Sequence, residues 1–171
     1  MIFGIPASAY TLIHVVISLV GIASGFIVLF GMFKAKRLDR WTAVFLVTTA
    51  ATSLIGFGFP FDHLLPSHKV GFLSLLVLAI AALARYPFHV SGRWRWIYVV
   101  TAQLALYFNV FVLVVQAFEK VPALKVLAPT QKEAPFMLAQ LIVLLAFVIL
   151  TVAAVRRFRI DQDARALPTA S

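Results

Sequence analysis

Three of the chain's four histidines, His14, His63 and His68, together with Asp62, are the residues with the most chemistry in reach. His63 and His68 flank the turn DHLLPSH, whereas His14 lies far off in sequence, inside the apolar run TLIHVVISLVGIASGFIVLFGMF. Neutral imidazoles can bind a divalent metal, with Asp62 as an oxygen ligand or as the acceptor that fixes a tautomer. Two imidazoles can also be the axial ligands of a haem. His14 can instead hydrogen-bond a quinone or another small polar ligand, since an ionisable residue inside a membrane points to function by default. The plainer reading is that His14 bonds a neighbouring helix. In the same reading Asp62, His63 and His68 belong to an ordinary turn rich in Asp, Pro and Ser. The His-x4-His spacing matches no zincin-type ligand pattern. The chain has no cysteine, which removes thiolate ligands, disulfides and a cysteine nucleophile.

Gln103, Tyr107, Asn109 and Gln116 form a second set, within WIYVVTAQLALYFNVFVLVVQAF. At 100° per residue Thr101, Asn109 and Gln116 group on one stripe, with Gln103 and Tyr107 on the opposite side. A helix polar on two faces is expected at the centre of a bundle, with Gln140 and Thr151 as partners. The set is a candidate polar pathway, but such groups are costly when unpaired in hydrocarbon and more often knit helices together. His89, Arg93 and Arg95, in YPFHVSGRWRW, are candidates for contact with anionic lipid headgroups. Arg85 is expected to snorkel to the surface.

The elements that must position these residues are membrane helices. Of 171 residues, 63% are hydrophobic and 12% charged, against roughly 25% charged in ordinary soluble domains. Apolar runs long enough to cross a hydrocarbon core of about 30 Å recur along the chain. Five spans are predicted, at about 11–33, 41–59, 67–86, 96–118 and 135–155. Pro60 and Pro87 end the second and third, Ser67 is a plausible N-cap for the third, and Pro135 suits the first turn of the fifth.

Four of the fifteen Lys and Arg residues, Lys69, Lys120, Lys125 and Lys132, flank one side of these spans, and the other eleven flank the opposite side. The positive-inside bias then puts the N-terminus outside and the C-terminus in the cytoplasm. Trp41, Tyr86, Trp94, Trp96 and Tyr98 fall at the cytoplasmic boundary, where amphipathic rings prefer to lie. The formal charge of +9 thus reports topology and no nucleic-acid partner. MIFGIPASAY lacks the positive n-region of a secretory signal, so the N-terminus is expected to be retained. In the outer loop EKVPALKVLAPTQKEA, Pro122 can start a short helix with Leu124, Leu127 and Ala128 on the membrane surface.

Small and polar residues at helical spacing mark the faces that meet in a bundle. Tyr10, His14, Ser18, Gly21 and Gly25 share one face of the first span, including a GxxxG element, and Thr49, Ser53, Gly56, Pro60 and His63 share one of the second. Both stripes run toward the outer boundary, where His68 opens the third span.

The run YVVTAQLALYFNVFVLVVQAFEKVPALKVLAPT, with the preceding GRWRW, resembles a group of small multi-pass bacterial inner-membrane proteins without an assigned function. The resemblance covers most of spans three to five and the outer loop. It implies an integral inner-membrane protein and carries over no functional residue. No haem-copper oxidase, rhodopsin or transporter signature is visible, nor a nucleotide-binding loop, a serine nucleophile elbow or a metalloprotease helix.

The expected molecule is therefore all-α: one bundle of five spans over residues 1–158 with a short cytoplasmic tail, 159–171, in the bacterial inner membrane. A non-enzymatic role is the first expectation, as an oligomeric scaffold or an accessory subunit of a membrane complex, partnered by lipid, by further copies or by other subunits. Two alternatives stay open: a redox protein binding a metal, haem or quinone at the outer face, and a small transporter or channel subunit.

Overall fold

A computed structural model describes residues 1, 4–59 and 66–159, the side chains of 66–68 excepted. Among the described residues the chain is all-helical: α1 (Ala7–Phe33), α2 (Asp39–Gly56), α3 (Pro66–Arg85), α4 (Arg93–Lys120), the single turn and a half of α5 (Pro122–Leu127), and α6 (Ala134–Arg157). Three of these, α1, α4 and α6, are long and apolar enough to cross a membrane. Their 27, 28 and 24 residues correspond to about 36 to 42 Å at 1.5 Å per residue. The shorter α2 and α3 have 18 and 20 residues, with Asp39 and Arg40 in the first turn of α2 and Arg85 in the last turn of α3.

Boundaries shift modestly from those expected. The first helix starts at Ala7, and the third takes Pro66 into its first turn, a position where a missing N–H costs nothing. Pro122 does open a short helix, α5, whose Leu127 is exposed, but Ala128 is buried and does not face outward.

Neighbouring helices pack antiparallel, and the pairing register can be read from side chains. Along α1 and α2, Tyr10 meets Ile55, Gly21 meets Thr49, and Gly25 meets Phe45. Along α2 and α3, Ser53 meets Ser74 and Asp39 meets Arg85. Along α4 and α6, Phe118 meets Phe136, Tyr107 meets Phe147, and Arg95 meets Val155. Helix α4 also reaches across to α1 and α2, where Asn109 lies beside Gly21 and Thr49. It is the central helix, as its two polar faces suggested.

The GxxxG element is used inside the chain. Gly21 and Gly25 are buried, and a Cβ placed at Gly25 would lie 2.6 Å from Leu106 Cδ1 and 2.9 Å from the Phe45 ring. Only glycine lets α1 approach both α2 and α4 this closely. Around this contact Val28, Leu29, Met32, Phe45, Val99 and Leu106 form the apolar core.

Helix directions bring three basic segments to one end of the bundle: residues 34–40, the α3–α4 turn, and the end of α6. Val90 and His89 turn that corner with φ of 60° and 51°, a conformation a β-branched residue adopts only when its surroundings hold it. Burial of the Val90 side chain and the bond from its N–H to the Ala84 carbonyl, 2.9 Å, supply that hold.

Candidate functional site

At the end away from the basic segments, α1 begins, α2 ends and α3 begins. Tyr10 donates its hydroxyl to the Ile55 carbonyl at 2.7 Å, and its ring meets Phe59 edge-on at 5.0 Å. One turn on, His14 faces α2 as its stripe predicted: its ring packs edge-on against Phe59 at 5.3 Å and stands beside Gly56. The half-buried imidazole has Nδ1 buried without a hydrogen-bond partner among the described residues. Its carbonyl accepts the Ser18 hydroxyl at 2.7 Å. Asp62 and His63 lie outside the described residues, as does the His68 side chain, although its backbone is in the first turn of α3. Among the described residues no group of three or more acidic or histidine side chains is placed to hold a metal ion.

The polar residues of α4 turn in different directions. Asn109 Nδ2 donates to Thr49 Oγ1 at 3.1 Å, on the α1–α2 side. Gln103, only 2% exposed, points its Nε2 at Met32 Sδ on α1, 3.5 Å away, and its Oε1 has no partner among the described residues. Tyr107 packs edge-on against Phe147 of α6, and Gln116 is exposed. Gln140, expected to meet a polar side chain of the fourth span, donates instead to the Phe111 carbonyl at 3.2 Å. Asn109, Gln103 and Tyr107 thus contact α2, α1 and α6 respectively.

At the basic end Arg93 and His89 are exposed, and His89 Nδ1 lies 3.0 Å from the Pro87 carbonyl. Arg95 has a different use: its Nη1 donates to the Val155 and Phe158 carbonyls at 2.9 and 2.6 Å, capping the C-terminal end of α6. A cation there satisfies carbonyls that have no partner within the helix and complements the helix dipole.

No protein-family model, curated protein or solved structure matches this chain.

Arg85 corrects the sequence reading. It does not snorkel; its side chain is 1% exposed, and it forms an ion pair with Asp39, whose own side chain is 79% exposed. The same Nη2 donates to the Arg37 carbonyl at 2.9 Å, and the guanidinium carbon stands 5.5 Å from the centre of the Tyr98 ring. Beneath it the hydroxyls of Thr42 and Tyr98 lie 3.3 Å apart. Arg85 Nη1 and Arg37 Nε are both buried without hydrogen-bond partners among the described residues. A signal for this nest was present in the sequence: Asp39 is the lone acid in KAKRLDR, and two short turns bring that segment and Arg85 to the same boundary.

Proposed function

We propose that the chain is a non-enzymatic integral protein of the bacterial inner membrane that serves as a subunit of a larger membrane assembly. In this reading it crosses the bilayer five times, with the N-terminus outside and the C-terminus in the cytoplasm. The observation that carries it is where the interior polar groups go: Asn109 to Thr49, Ser53 to Ser74, Gln140 to the Phe111 carbonyl, Arg85 to Asp39. Each bonds one helix to another, which is what polar groups do when their task is to hold a bundle in lipid. With the GxxxG face used internally, the surface left for lipid or a partner is apolar. Helix α6 alone exposes Met137, Leu138, Leu141, Ile142, Leu145 and Ile149. Antiparallel packing of α2 and α3 beside α1 and α4, with the basic segments at one end, supports five crossings under the positive-inside bias. Exposed His89 and Arg93 then lie at the inner headgroups.

Purification from native membranes in a mild detergent tests the assignment. A complex heavier than one protomer and its micelle is expected. A lone monomer carrying a stoichiometric chromophore or metal would count decisively against it.

The redox alternative has one observation of its own, the buried Nδ1 of His14, without a partner among the described residues. A divalent metal or haem would draw on His14 with His63, His68 and Asp62. An absorption spectrum and metal content that do not change in His14→Ala eliminate it. The transporter alternative draws less support, because Gln103, Tyr107 and Asn109 are turned onto different neighbours.

A further inference from the structure

Burying a guanidinium is costly unless its N–H groups are used, and the nest at the basic end leaves two of them idle. Arg85 is fixed from three sides: Asp39 and the Arg37 carbonyl hold Nη2, and the Tyr98 ring lies under the guanidinium carbon. Its Nη1 is buried with no hydrogen-bond partner among the described residues, and so is Nε of Arg37, the residue whose carbonyl it already touches. Asp39, the acid of this cluster, neutralises one of the two cations and presents most of its carboxylate to solvent. One positive charge and two buried donor atoms without a partner among the described residues are therefore left on two arginines that touch through the Arg37 carbonyl. Lys34, Lys36 and Arg40 stand exposed around it, so the local field favours an anion.

The first turn of α2 opens here, at Asp39, with Leu38 as its N-cap and no side chain capping its free amides. Guanidinium donors beside unoccupied helix-terminal amides match the oxygens of a phosphate. The neighbouring helices end at this level, with Trp41 exposed at the rim, which is the depth of lipid headgroups.

We propose that Arg85, Arg37 and the first turn of α2 form a binding site for the phosphate of an anionic phospholipid of the inner leaflet. The phosphate oxygens accept from Arg85 Nη1 and Arg37 Nε, and the Asp39 carboxylate, competing for Arg85, limits how tightly the headgroup is held. The site rests on the basic end facing the inner leaflet, which cysteine labelling of that end tests on its own.

Native mass spectrometry of the full chain, released from detergent micelles, reads the site directly. The probes are dioleoylphosphatidylglycerol, dioleoylphosphatidylcholine and inorganic phosphate, each added separately. Preferential retention of one phosphatidylglycerol per protomer is expected. Arg37→Gln should cut that retention roughly five-fold, in line with about 1 kcal/mol for each basic residue at an anionic surface. Arg37→Gln keeps the Arg85–Asp39 pair, so it reads the site even where Arg85→Gln fails to fold. Asp39→Asn removes the competing carboxylate and should raise retention. Arg156→Gln, at the same end of the bundle but outside the nest, should leave it unchanged. Equal retention of the two lipids overturns the proposal, as does an Arg156→Gln effect equal to that of Arg37→Gln. Retention of inorganic phosphate with no preference between the lipids overturns the assignment to a lipid.

Discussion

Substitution of Gly25 by alanine probes the contact on which the bundle closes. The new methyl carbon would stand 2.6 Å from Leu106 Cδ1 and 2.9 and 3.0 Å from two Phe45 ring carbons. Apolar carbons settle at about 3.5 to 4.0 Å, so both neighbours would have to withdraw by close to an ångström. Neither has room, since Leu106 is 0% and Phe45 1% exposed. Overpacking of this kind costs about 1 to 3 kcal/mol, and the better helix propensity of alanine returns at most about 1 kcal/mol. From the middle of that range, a net loss of at least about 1 kcal/mol is expected. Gly21→Ala should cost less, because its nearest neighbours are two threonine hydroxyls at 3.2 and 3.3 Å. Ala23→Leu, on the exposed side of the same helix, should be neutral. The assay is equilibrium unfolding in mixed micelles followed by tryptophan fluorescence, using Trp41, Trp94 and Trp96 at the basic end. Wild-type stability in Gly25→Ala, or an equal loss in Ala23→Leu, would refute the close approach of α1 to α2 and α4.

Other interior contacts give graded expectations. Asn109→Leu removes the bond to Thr49 and should destabilise by about 1 kcal/mol, the usual scale for interhelical hydrogen bonds in bilayers; the same unfolding assay reads it, and no loss would mean the bond contributes nothing. Asp39→Ala strands the buried Arg85. Its cost should fall at about 1 to 3 kcal/mol, between exposed and fully buried ion pairs, because solvent screens the exposed carboxylate. Measured addition of salt should narrow the gap to wild type, and a salt-independent loss would argue against an ion pair. In the α5–α6 loop the Glu133 carboxylate accepts from the Thr130 hydroxyl at 2.8 Å and from the amides of Thr130 and Lys132. Desolvation alone would push its pKa up, but these hydrogen bonds together hold it below the ordinary glutamate value. The lowered value means the loop is held fully at neutral pH and loosens as pH falls through the folded-state pKa. Lower amide protection over 128–133, measured relative to the intrinsic exchange rate at each pH, is expected on acidification, and Glu133→Gln should show it already at neutral pH.

Much of the fold was legible because its causes are local. Proline positions bounded α3, α5 and α6, and small residues at spacings of three and four marked the α1 and α2 faces that do meet. The central place of α4 followed from polar residues on two of its sides. What escaped was pairwise. The sequence alone does not tell which neighbour an arginine finds, so Arg85 reads as a snorkelling cation when Asp39, Tyr98 and the Arg37 carbonyl hold it inside. Arg95 reads as a headgroup ligand for the same reason, although it caps α6. GxxxG is equally silent about whether it serves a second copy or, as here, the next helix of the same chain. Of the outer-layer candidates, the structure describes the side chain of His14 alone.

The number of crossings underlies each functional reading, and the absence of cysteine makes it directly measurable. Single cysteines replacing the exposed residues Ser8, Lys36, Lys69, Ser91 and Thr130 can be probed in intact cells with a membrane-impermeant maleimide. Five crossings with the N-terminus outside predict labelling of Ser8→Cys, Lys69→Cys and Thr130→Cys, and of Lys36→Cys and Ser91→Cys only after permeabilisation. Labelling of Lys36→Cys and Lys69→Cys from the same side would show that α2 does not cross, and would contradict the five-span bundle.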